Sequence, residues 1–375
     1  LEQENLKLHK NSNQYKENVA DIDRNDIVQY AIKILLNSIY GVFGNPHSAL
    51  YDTDLAGSVT NTGQSAIKQA NKICEEYIKE AYDTELDSYV YSDTDSTHIS
   101  LKPLLDAIGE PLLIDNEMNP VVYEKANELQ NIINERIERW ANTSLMSSDP
   151  RFYFKREAIC AAGIYQSKKH YILHIRDKGE ALPVPCDYIK YVGVELVKSK
   201  LSEEVKMLVK RVVESIVYSK DKSQTDAVYK EVYEEFKTLT PEQIAERKGV
   251  NNVEKYTNKM DGFAPAKGTP GHVKSAINYN LLLEELGLTH KYPAITSGNK
   301  MKLFYVRSTN KYGMQTMGFL TDYPTEFAEI IKPDYEFMFE KLIKSEVDRF
   351  YKCVKWRAID LRNEYACDLF DILGI

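Results

Sequence analysis

Two aspartates separated by a single residue are the side chains of this sequence with the clearest chemical potential. Asp93 and Asp95 lie in Ser92-Asp-Thr-Asp95, a cluster of turn-forming residues between two runs of β-prone residues. This pattern predicts a hairpin with two carboxylates at its tip. Such a pair can hold a hard divalent cation through oxygen, and Mg²⁺ fits best. The alternative is an ordinary polar turn.

A second group of residues shares one face of a predicted helix over residues 25–43. Lys33, Asn37, Tyr40 and Gly41 fall at i, i+4, i+7 and i+8, which brings together a cation, an amide, a phenol and a bare backbone. A lysine can neutralise a phosphate, a tyrosine ring can pack on a base or sugar, and a glycine permits close approach. The alternative is a partly buried helix with a solvated lysine.

Adjacent lysines form the third group. The spacing predicts a strand over residues 165–175 that carries Lys168 and Lys169 on opposite faces, so that one could reach a nucleic-acid backbone. The alternative is protection of an exposed strand edge against aggregation.

The elements that must position these residues are mixed in the first half of the chain. Helical spacing predicts helices over residues 61–82 and 121–141 around the hairpin. After residue 195, residues 202–236, 272–286 and 335–363 are predicted to be largely helical, with a β section around residues 301–320. We therefore expect a domain boundary near residue 195.

Composition bounds the class of protein. The 375 residues suggest two or three packed units, and five cysteines without a CxxC favour neither a zinc site nor a disulfide framework. We find no apolar run of transmembrane length and no signal peptide, which predicts a soluble intracellular protein.

The net charge is −8. Its balance nevertheless changes from −5 over residues 101–150, with 4 basic and 9 acidic residues, to +6 over residues 151–211, with 13 basic and 7 acidic. One surface of the protein is therefore expected to be basic.

Five strings taken in order resemble the B-family DNA polymerases, and most of all the replicative polymerases of T-even-type phages. They are KILLNSIYGVFG (33–44), YSDTDST (91–97), FKREAI (154–159), SKKHY (167–171) and KYVGVE (190–195). The resemblance runs from about Ile27 to the C-terminus. It implies an α+β fold with an antiparallel palm sheet and its helices, partial helical fingers and a mainly helical thumb. The corresponding domains are residues 1–45 (fingers), 46–194 (palm) and 195–375 (thumb).

The resemblance also implies the roles of the nucleotide-binding residues. Lys33 matches the fingers lysine that contacts the incoming triphosphate, while Asn37 and Tyr40, followed by Gly41, match residues that shape the pocket for the nascent base pair.

Metal ligands are implied by the same comparison. Asp95 matches the family's metal ligand most directly, Asp93 matches a partner of more variable assignment, and Glu157 matches an acidic residue near the metals. Ser92 replaces the usual glycine of the motif. The implied reaction transfers a nucleotidyl group to a primer 3′-hydroxyl with two Mg²⁺ ions about 4 Å apart, for which Mn²⁺ is a substitute.

DNA contacts are implied for Lys168, Lys169 and Tyr171 in the palm. In the thumb, five residues are candidate phosphate contacts, with solvated surface side chains as the alternative: Lys267, His272, Lys274, Lys300 and Lys302. The C-terminal segment resembles a peptide that binds a sliding clamp, with Leu369, Phe370, Ile372 and Leu373 as anchors, and the alternative is a terminal turn folded onto the thumb.

One required motif of the family, DxxSLYPS with its metal-binding aspartate, has no match in this sequence. We therefore expect a C-terminal portion of a polymerase, whose partner or missing half supplies an exonuclease domain and the rest of the fingers and palm. The other expected partners are primer–template DNA, deoxynucleoside triphosphates and a sliding clamp, in the cytoplasm of a cell or of the host of a virus. The alternative function is a non-catalytic module that binds duplex DNA and the clamp.

Overall fold

A computed structural model describes residues 12–179, 183–194, 199–257, 268–307, 309–359 and 361. The chain divides into two compact units, residues 1–156 and residues 157–375. The fold class is α+β, with long helices and small antiparallel sheets, as predicted. The division at residue 156 differs from the predicted limits of fingers, palm and thumb, which remain predictions.

The first unit contains two long helices followed by short strands and a third long helix. Helix α1 spans Asn13–Gly44, and helix α2 spans Thr53–Tyr82. The later elements are given in chain order: β1 (Tyr89–Asp93), β2 (Ser96–Ile99), α3 (Lys102–Ile108), β3 (Leu113–Ile114), β4 (Glu117–Met118) and α4 (Pro120–Ser144).

The core of the first unit lies between α2 and α4. Both helices have apolar residues at three- and four-residue spacing, which places those residues on one face. On α2 the buried residues include Ala70, Ile73 and Ile78, and on α4 they include Leu129 and Ile133. These two apolar faces, each called a buried stripe below, pack against each other and hold α2 in place.

Capping defines the ends of α2. The Oδ1 atom of Asp52 accepts hydrogen bonds from the backbone N–H groups of Asp54 and Leu55, at 3.0 and 2.9 Å. At the other end Asp83 has a left-handed backbone with φ of 45°. The helix therefore begins eight residues before the predicted start, at residue 53 instead of residue 61, and ends at the predicted residue.

The second unit begins with a three-stranded antiparallel sheet in the order β5-β6-β7. The strands are β5 (Ile159–Ser167), β6 (His170–Asp177) and β7 (Pro185–Val192). Ile164 and Ile172 are opposite each other on β5 and β6, and both belong to the apolar core of the second unit. The sheet is thus packed in the same core as the elements that follow it.

Helices and a second small sheet complete the second unit. In chain order the elements are α5 (Glu203–Ser219), α6 (Lys222–Phe236), α7 (Pro241–Ile244), β8 (Glu246–Gly249), α8 (Val253–Thr257), α9 (Gly271–Glu285), β9 (Lys300–Tyr305), β10 (Thr316–Phe319), α10 (Thr325–Ala328), α11 (Tyr335–Phe339), a π-helical turn (Glu340–Lys344) and α12 (Ser345–Cys353). The sheet has the antiparallel order β10-β9-β8.

Three predicted elements of the second unit differ from the structure. The helical stretch 202–236 is two helices, because Lys220 has a left-handed φ of 53° and Asp221 caps α6. The last described helix ends at Cys353, ten residues before the predicted end at residue 363, and Lys355 has a left-handed φ of 59°. The single strand predicted over residues 165–175 is two strands, β5 and β6, which reverse at Lys168 and Lys169.

Helix α1 departs most from expectation. It begins twelve residues before the predicted start at residue 25, and Ser12 caps it by accepting a hydrogen bond from the N–H of Tyr15 at 3.2 Å. Every residue from Asp23 to Val42 is exposed. By length and composition, α1 is the one helix of the described residues that could cross a membrane, whereas no such segment was predicted. Lys33 and Asn37 lie within this helix, and polar groups of this kind are costly inside a bilayer.

Candidate active site

The predicted hairpin with two carboxylates is present. Strands β1 and β2 pair in antiparallel register with Asp93 opposite Ser96, which leaves Thr94 and Asp95 as the two-residue turn. The Asp95 side chain is exposed, and that of Asp93 is half-buried. Both carboxylates of the Asp-Thr-Asp sequence therefore lie at the end of one hairpin, where they can present oxygen to a divalent cation.

Local hydrogen bonds order this turn. The Thr94 hydroxyl donates to Oδ1 of Asp93 at 3.1 Å, and the Asp95 N–H donates to the Asp93 carbonyl at 2.7 Å. Thr94 has a φ of 57°, an unusual conformation for a β-branched residue. Strained backbone of this kind tends to occur at functional sites, where the surrounding structure holds it.

An asparagine that the sequence analysis did not single out lies behind the hairpin. Asn71, on α2, donates from Nδ2 to the Ser92 hydroxyl at 2.9 Å and accepts at Oδ1 from the Thr97 hydroxyl at 2.5 Å. Ser92 and Thr97 are directly opposite on β1 and β2. One sequence signal could have identified Asn71. It is an amide side chain that directly follows Ala70, a residue of the apolar face of α2.

The four predicted nucleotide-binding residues share α1. The side chains of Lys33, Asn37 and Tyr40 are exposed, and Tyr40 is 44% accessible. At Gly41 an added Cβ atom would meet no atom within 4 Å among the described residues. All four residues lie on an exposed surface, and the burial that α1 has lies near its ends, at Asn18 above all. The nucleotide-binding role of these residues stays a prediction.

Apolar side chains surround the rest of α1. Ile27 is 70% exposed and Leu35 is 65% exposed, and the other large exposed apolar residues of the helix are Val28, Tyr30, Ile32, Ile34, Leu36, Ile39 and Val42. A helix that is apolar around most of its circumference is normally buried by neighbouring elements. In the described part of the chain such neighbours do not cover it.

The lysine pair forms the turn between β5 and β6. Ser167 pairs with His170, so Lys168 and Lys169 are the two loop residues, and both are exposed. They are not on opposite faces of a strand, as predicted, because Lys169 adopts a left-handed φ of 62° and the chain reverses there. The absence of Gly, Asn or Asp at this turn removed the usual sequence signal for it.

Gly193 supports this turn from the end of β7. Its φ is +64°, and an added Cβ atom would be 1.9 Å from the carbonyl oxygen of Lys169. Tyr171 is only 9% exposed, and its ring centroid is 5.4 Å from that of Tyr165. The two lysines thus form the tip of the β5–β6 hairpin, whereas Tyr171 is packed below the tip.

Basic residues of the second unit lie on two elements. His272 and Lys274 occupy the first turn of α9 and are half-buried, while Lys300 and Lys302 are on β9. Nζ of Lys302 donates to the carbonyl of Thr321 at 3.2 Å.

Arg247, which the sequence analysis did not single out, is exposed on β8 directly opposite Lys302. Like charges at opposed positions of a sheet repel each other. Glu203 lies within electrostatic reach of Arg247 and Glu242 within that of Lys302, so carboxylates of the chain already offset part of this repulsion.

The remaining predicted residues are not assembled into a site. Glu157 is exposed in a non-regular segment. In the part of the chain that the structure describes, no three His, Cys, Asp or Glu side chains lie close enough together to hold a metal ion. The chemistry of Asp93 and Asp95 suits Mg²⁺, but two carboxylates alone do not complete its octahedral shell. Lys267 and the predicted clamp-binding residues lie outside the described residues: Leu369, Phe370, Ile372 and Leu373.

Comparison with known proteins identifies the family of this α+β chain. Residues 6–260 match the model for DNA polymerase family B. The chain belongs to this family.

Several relatives match over most of the chain at low identity. Its alignment with the DNA-directed DNA polymerase of Escherichia phage RB69 is 27% identical over 357 residues and covers 91% of this chain and 38% of that polymerase. Its alignment with the DNA-directed DNA polymerase of Enterobacteria phage T4 is 26% identical over 306 residues and covers 75% of this chain and 31% of that protein. Its alignment with DNA polymerase 1 of Aeropyrum pernix is 26% identical over 327 residues and covers 84% of this chain and 27% of that protein. The chain thus spans less than two fifths of the length of these relatives.

Proposed function

We propose that this chain is the C-terminal part of a template-directed replicative DNA polymerase that adds deoxynucleotides to a primer 3′-hydroxyl. The observation that carries the proposal is the β1–β2 hairpin, which presents Asp93 and Asp95 together in a chain of DNA polymerase family B. A module that only binds DNA has no need of paired carboxylates, whose mutual repulsion is relieved by a cation.

Asp95 and Asp93 would hold Mg²⁺, with Glu157 nearby and the aspartate of the missing DxxSLYPS motif as a further ligand. When bound, two such ions supply Lewis-acid stabilisation of the attacking and leaving oxygens. The chain's own residues bind and orient the substrate. Lys33 offsets charge on the triphosphate, and Asn37, Tyr40 and Gly41 form one side of the pocket for the new base pair.

DNA would be held by basic residues of the second unit. Lys168 and Lys169, at the tip of their hairpin, are positioned to contact the duplex backbone without reading its sequence. Exposed Arg247 and half-buried Lys302, directly opposite each other, would add a second contact to the phosphate backbone. The C-terminal segment with Leu369 and Phe370 is proposed to bind a sliding clamp.

A further polypeptide segment would complete the polymerase, either as a separate partner or as another part of a longer chain. The exposed apolar surface of α1 supports this proposal, because a helix of such composition is stable in water only when other elements cover it. The covering segment would supply the rest of the fingers and palm. We place the assembly in the cytoplasm, or in that of the host if the source is a virus, and interpret α1 as an element of the fingers that does not enter a membrane.

Primer extension tests the proposal. The assay compares the chain alone, the chain with its N-terminal complement, and the same mixture carrying Asp95→Ala or the control Asp149→Ala, each with Mg²⁺ and four deoxynucleotides. Asp149 is an exposed residue of the first unit outside the candidate site, and its ion pair with Arg151 is exposed as well. We expect extension in the unmutated mixture and in the control, and at least a 100-fold loss with Asp95→Ala.

Two results would contradict this function. A complex that binds primer–template and never extends it would favour the non-catalytic module for duplex DNA and clamp. Extension that is unaffected by Asp95→Ala would place the metal site elsewhere.

A further inference from the structure

We propose that Asn71 is a positioning residue of the polymerase site, because its amide anchors the β1–β2 hairpin to α2 and thereby sets the direction of Asp93 and Asp95. The proposal rests on the proposed function. It concerns a residue in a different element from the carboxylates, with no implied contact to metal or substrate.

One amide group connects both strands to the helix. Nδ2 of Asn71 donates to Oγ of Ser92 at 2.9 Å, and Oδ1 of Asn71 accepts from Oγ1 of Thr97 at 2.5 Å. The two hydroxyl oxygens are themselves 3.5 Å apart. Donor and acceptor of the amide are thus both used, one on each strand, so that neither strand can shift along α2 without losing a hydrogen bond.

The anchored residues are immediate neighbours of the carboxylates. Ser92 precedes Asp93, and the Ser92–Thr97 pair is one step along the ladder from the Asp93–Ser96 pair that closes the turn. Because successive side chains of a strand point to opposite faces, Ser92 and Thr97 face α2 while Asp93 lies on the other face. A rotation of the hairpin about its long axis would therefore redirect Asp93 as soon as the Asn71 contacts were lost.

The hairpin needs such an anchor because it has little other support. Among the described residues its sheet contains only β1 and β2, and an isolated two-stranded hairpin is at best marginally stable in water. Thr94 in the turn adds backbone strain that the hairpin itself must hold. In contrast, α2 is fixed by its buried stripe, with Ala70 on one side of Asn71 and Ile73 two residues beyond it, both almost fully buried. Asn71 therefore connects a rigid element to a weak one.

Ser92 makes this arrangement possible. At this position the family usually has a glycine, which has no hydroxyl to accept from the Asn71 amide. The serine of this chain therefore provides an acceptor, and Thr97 provides the matching donor. We infer that the three residues function as a unit.

The test replaces the amide by an apolar side chain of similar size. Asn71→Leu removes both hydrogen bonds and retains a good helix former at this position. Asn61→Leu is the matched control, since Asn61 is an exposed asparagine of the same helix, ten residues earlier. Thr97→Val and the double variant Asn71→Leu/Thr97→Val test whether the residues act together.

Hydrogen exchange followed by mass spectrometry provides a readout that requires no activity. In this chain, Asn71→Leu should make the amides of residues 89–99 exchange about tenfold faster, because local opening of the hairpin becomes easier. The amides of α4 should keep their protection, and Asn61→Leu should leave the hairpin as in the parent. Equal exchange of the hairpin in Asn71→Leu and the parent would overturn the proposal.

A Mg²⁺ titration of primer extension, in the chain assembled with its complement, measures the consequence for the site. Asn71→Leu should raise the Mg²⁺ concentration for half-maximal extension about tenfold, with the KM for deoxynucleotides and the Kd for primer–template within about twofold of the parent. Thr97→Val should give a shift in the same direction, and the double variant should be no worse than Asn71→Leu alone. A lower extension rate with an unchanged Mg²⁺ requirement would mean a purely structural role and would overturn the proposal.

Failure of the proposed function would give a different pattern. In that case the parent assembly itself would not extend the primer, whereas failure of the present inference is seen in a parent that extends and an Asn71→Leu variant that titrates Mg²⁺ like the parent.

Discussion

At the residue scale, the side chains proposed to do chemistry are exposed and those that position them are partly covered. Asp95 and Lys33 are on the surface, whereas Asn71 is half-buried beside the α2 stripe. The types of the exposed residues could be recognised from spacing alone, because a DxD turn and a KxxxNSxYG helix are local patterns. Asn71 could not, because its two partners are more than twenty residues away in the sequence.

Lys33 should act mainly on nucleotide incorporation. We expect Lys33→Ala to lower kcat/KM for deoxynucleotides about 100-fold, because it removes a cation from the developing charge of the triphosphate, while the Kd for primer–template stays within about twofold. Single-turnover incorporation by the assembled polymerase measures both. Lys16→Ala, on the same helix and also exposed, should match the parent, and a loss in that variant equal to the loss in Lys33→Ala would contradict a specific role.

Cys74 should give the first unit a pH-dependent stability. Burial, and secondarily the charge of Glu75, raises the pKa of the Cys74 thiol to about 12. Below the ordinary thiol pKa of 9.0 both folded and unfolded states hold the proton. Above it only the unfolded state ionises, so the free energy of unfolding should fall by about 1.4 kcal/mol per pH unit from this group.

Denaturant unfolding of the parent and of Cys74→Ala, measured between pH 7 and pH 11, tests this linkage. The variant should lose about 1 kcal/mol at pH 7 from the smaller side chain and then decline less steeply than the parent above pH 9. Parallel declines in the two proteins would show that Cys74 does not control the alkaline loss.

At the element scale, each unit has one hairpin turn with charged residues that we propose to be functional, and each turn contacts a residue from another element. The Asp93–Asp95 turn is held by Asn71 of α2, and the Lys168–Lys169 turn is backed by Gly193 at the end of β7. The Asp93–Asp95 hairpin could be predicted, because β-prone residues flank a cluster of turn-forming residues. The Lys168–Lys169 turn was not predicted, because lysine is not a typical turn residue.

Gly193→Ala should displace the lysine turn. A Cβ atom would lie 1.9 Å from the Lys169 carbonyl, and the left-handed backbone at φ of +64° is itself unfavourable for alanine. We expect the Kd for primer–template, measured by fluorescence anisotropy, to rise about tenfold as both lysine contacts weaken. Gly313→Ala is the matched control, because Gly313 has a similar φ of +63° and an added Cβ atom there would meet none of the described atoms within 4 Å. Equal affinities of the two variants would show that the turn position is unimportant for DNA.

At the scale of the whole molecule, the described residues include a run of exposed large apolar side chains. This surface is concentrated on α1, where Ile27, Ile32 and Leu36 are more than half exposed. This is the helix with the residues proposed to bind the nucleotide. Its exposure is consistent with a chain that spans only part of its relatives' length.

Charges on α1 should therefore improve solubility and prevent assembly. We expect Ile32→Glu/Leu36→Glu to keep the chain monomeric at concentrations where the parent associates, as measured by light scattering, because the apolar patch is interrupted. The same variant should fail to capture the N-terminal complement in a pull-down. Met207→Glu, a similar change at an exposed residue of α5, should affect neither property, and capture by the double variant would show that α1 is not the contact surface.

The sequence by itself determined the family, the α+β class, the DxD hairpin and the face of α1 that carries Lys33 and Tyr40. These features are local, because a turn needs a few residues and a helical face needs only a period of 3.6. Tertiary structure decided the early start of α1 and the exposure of its residues 23–42, the Lys168–Lys169 turn, the Arg247–Lys302 pair and the hydrogen bonds of Asn71 to the hairpin. Each depends on which distant residues lie beside a given side chain or backbone group, and one-dimensional spacing contains no information on those neighbours.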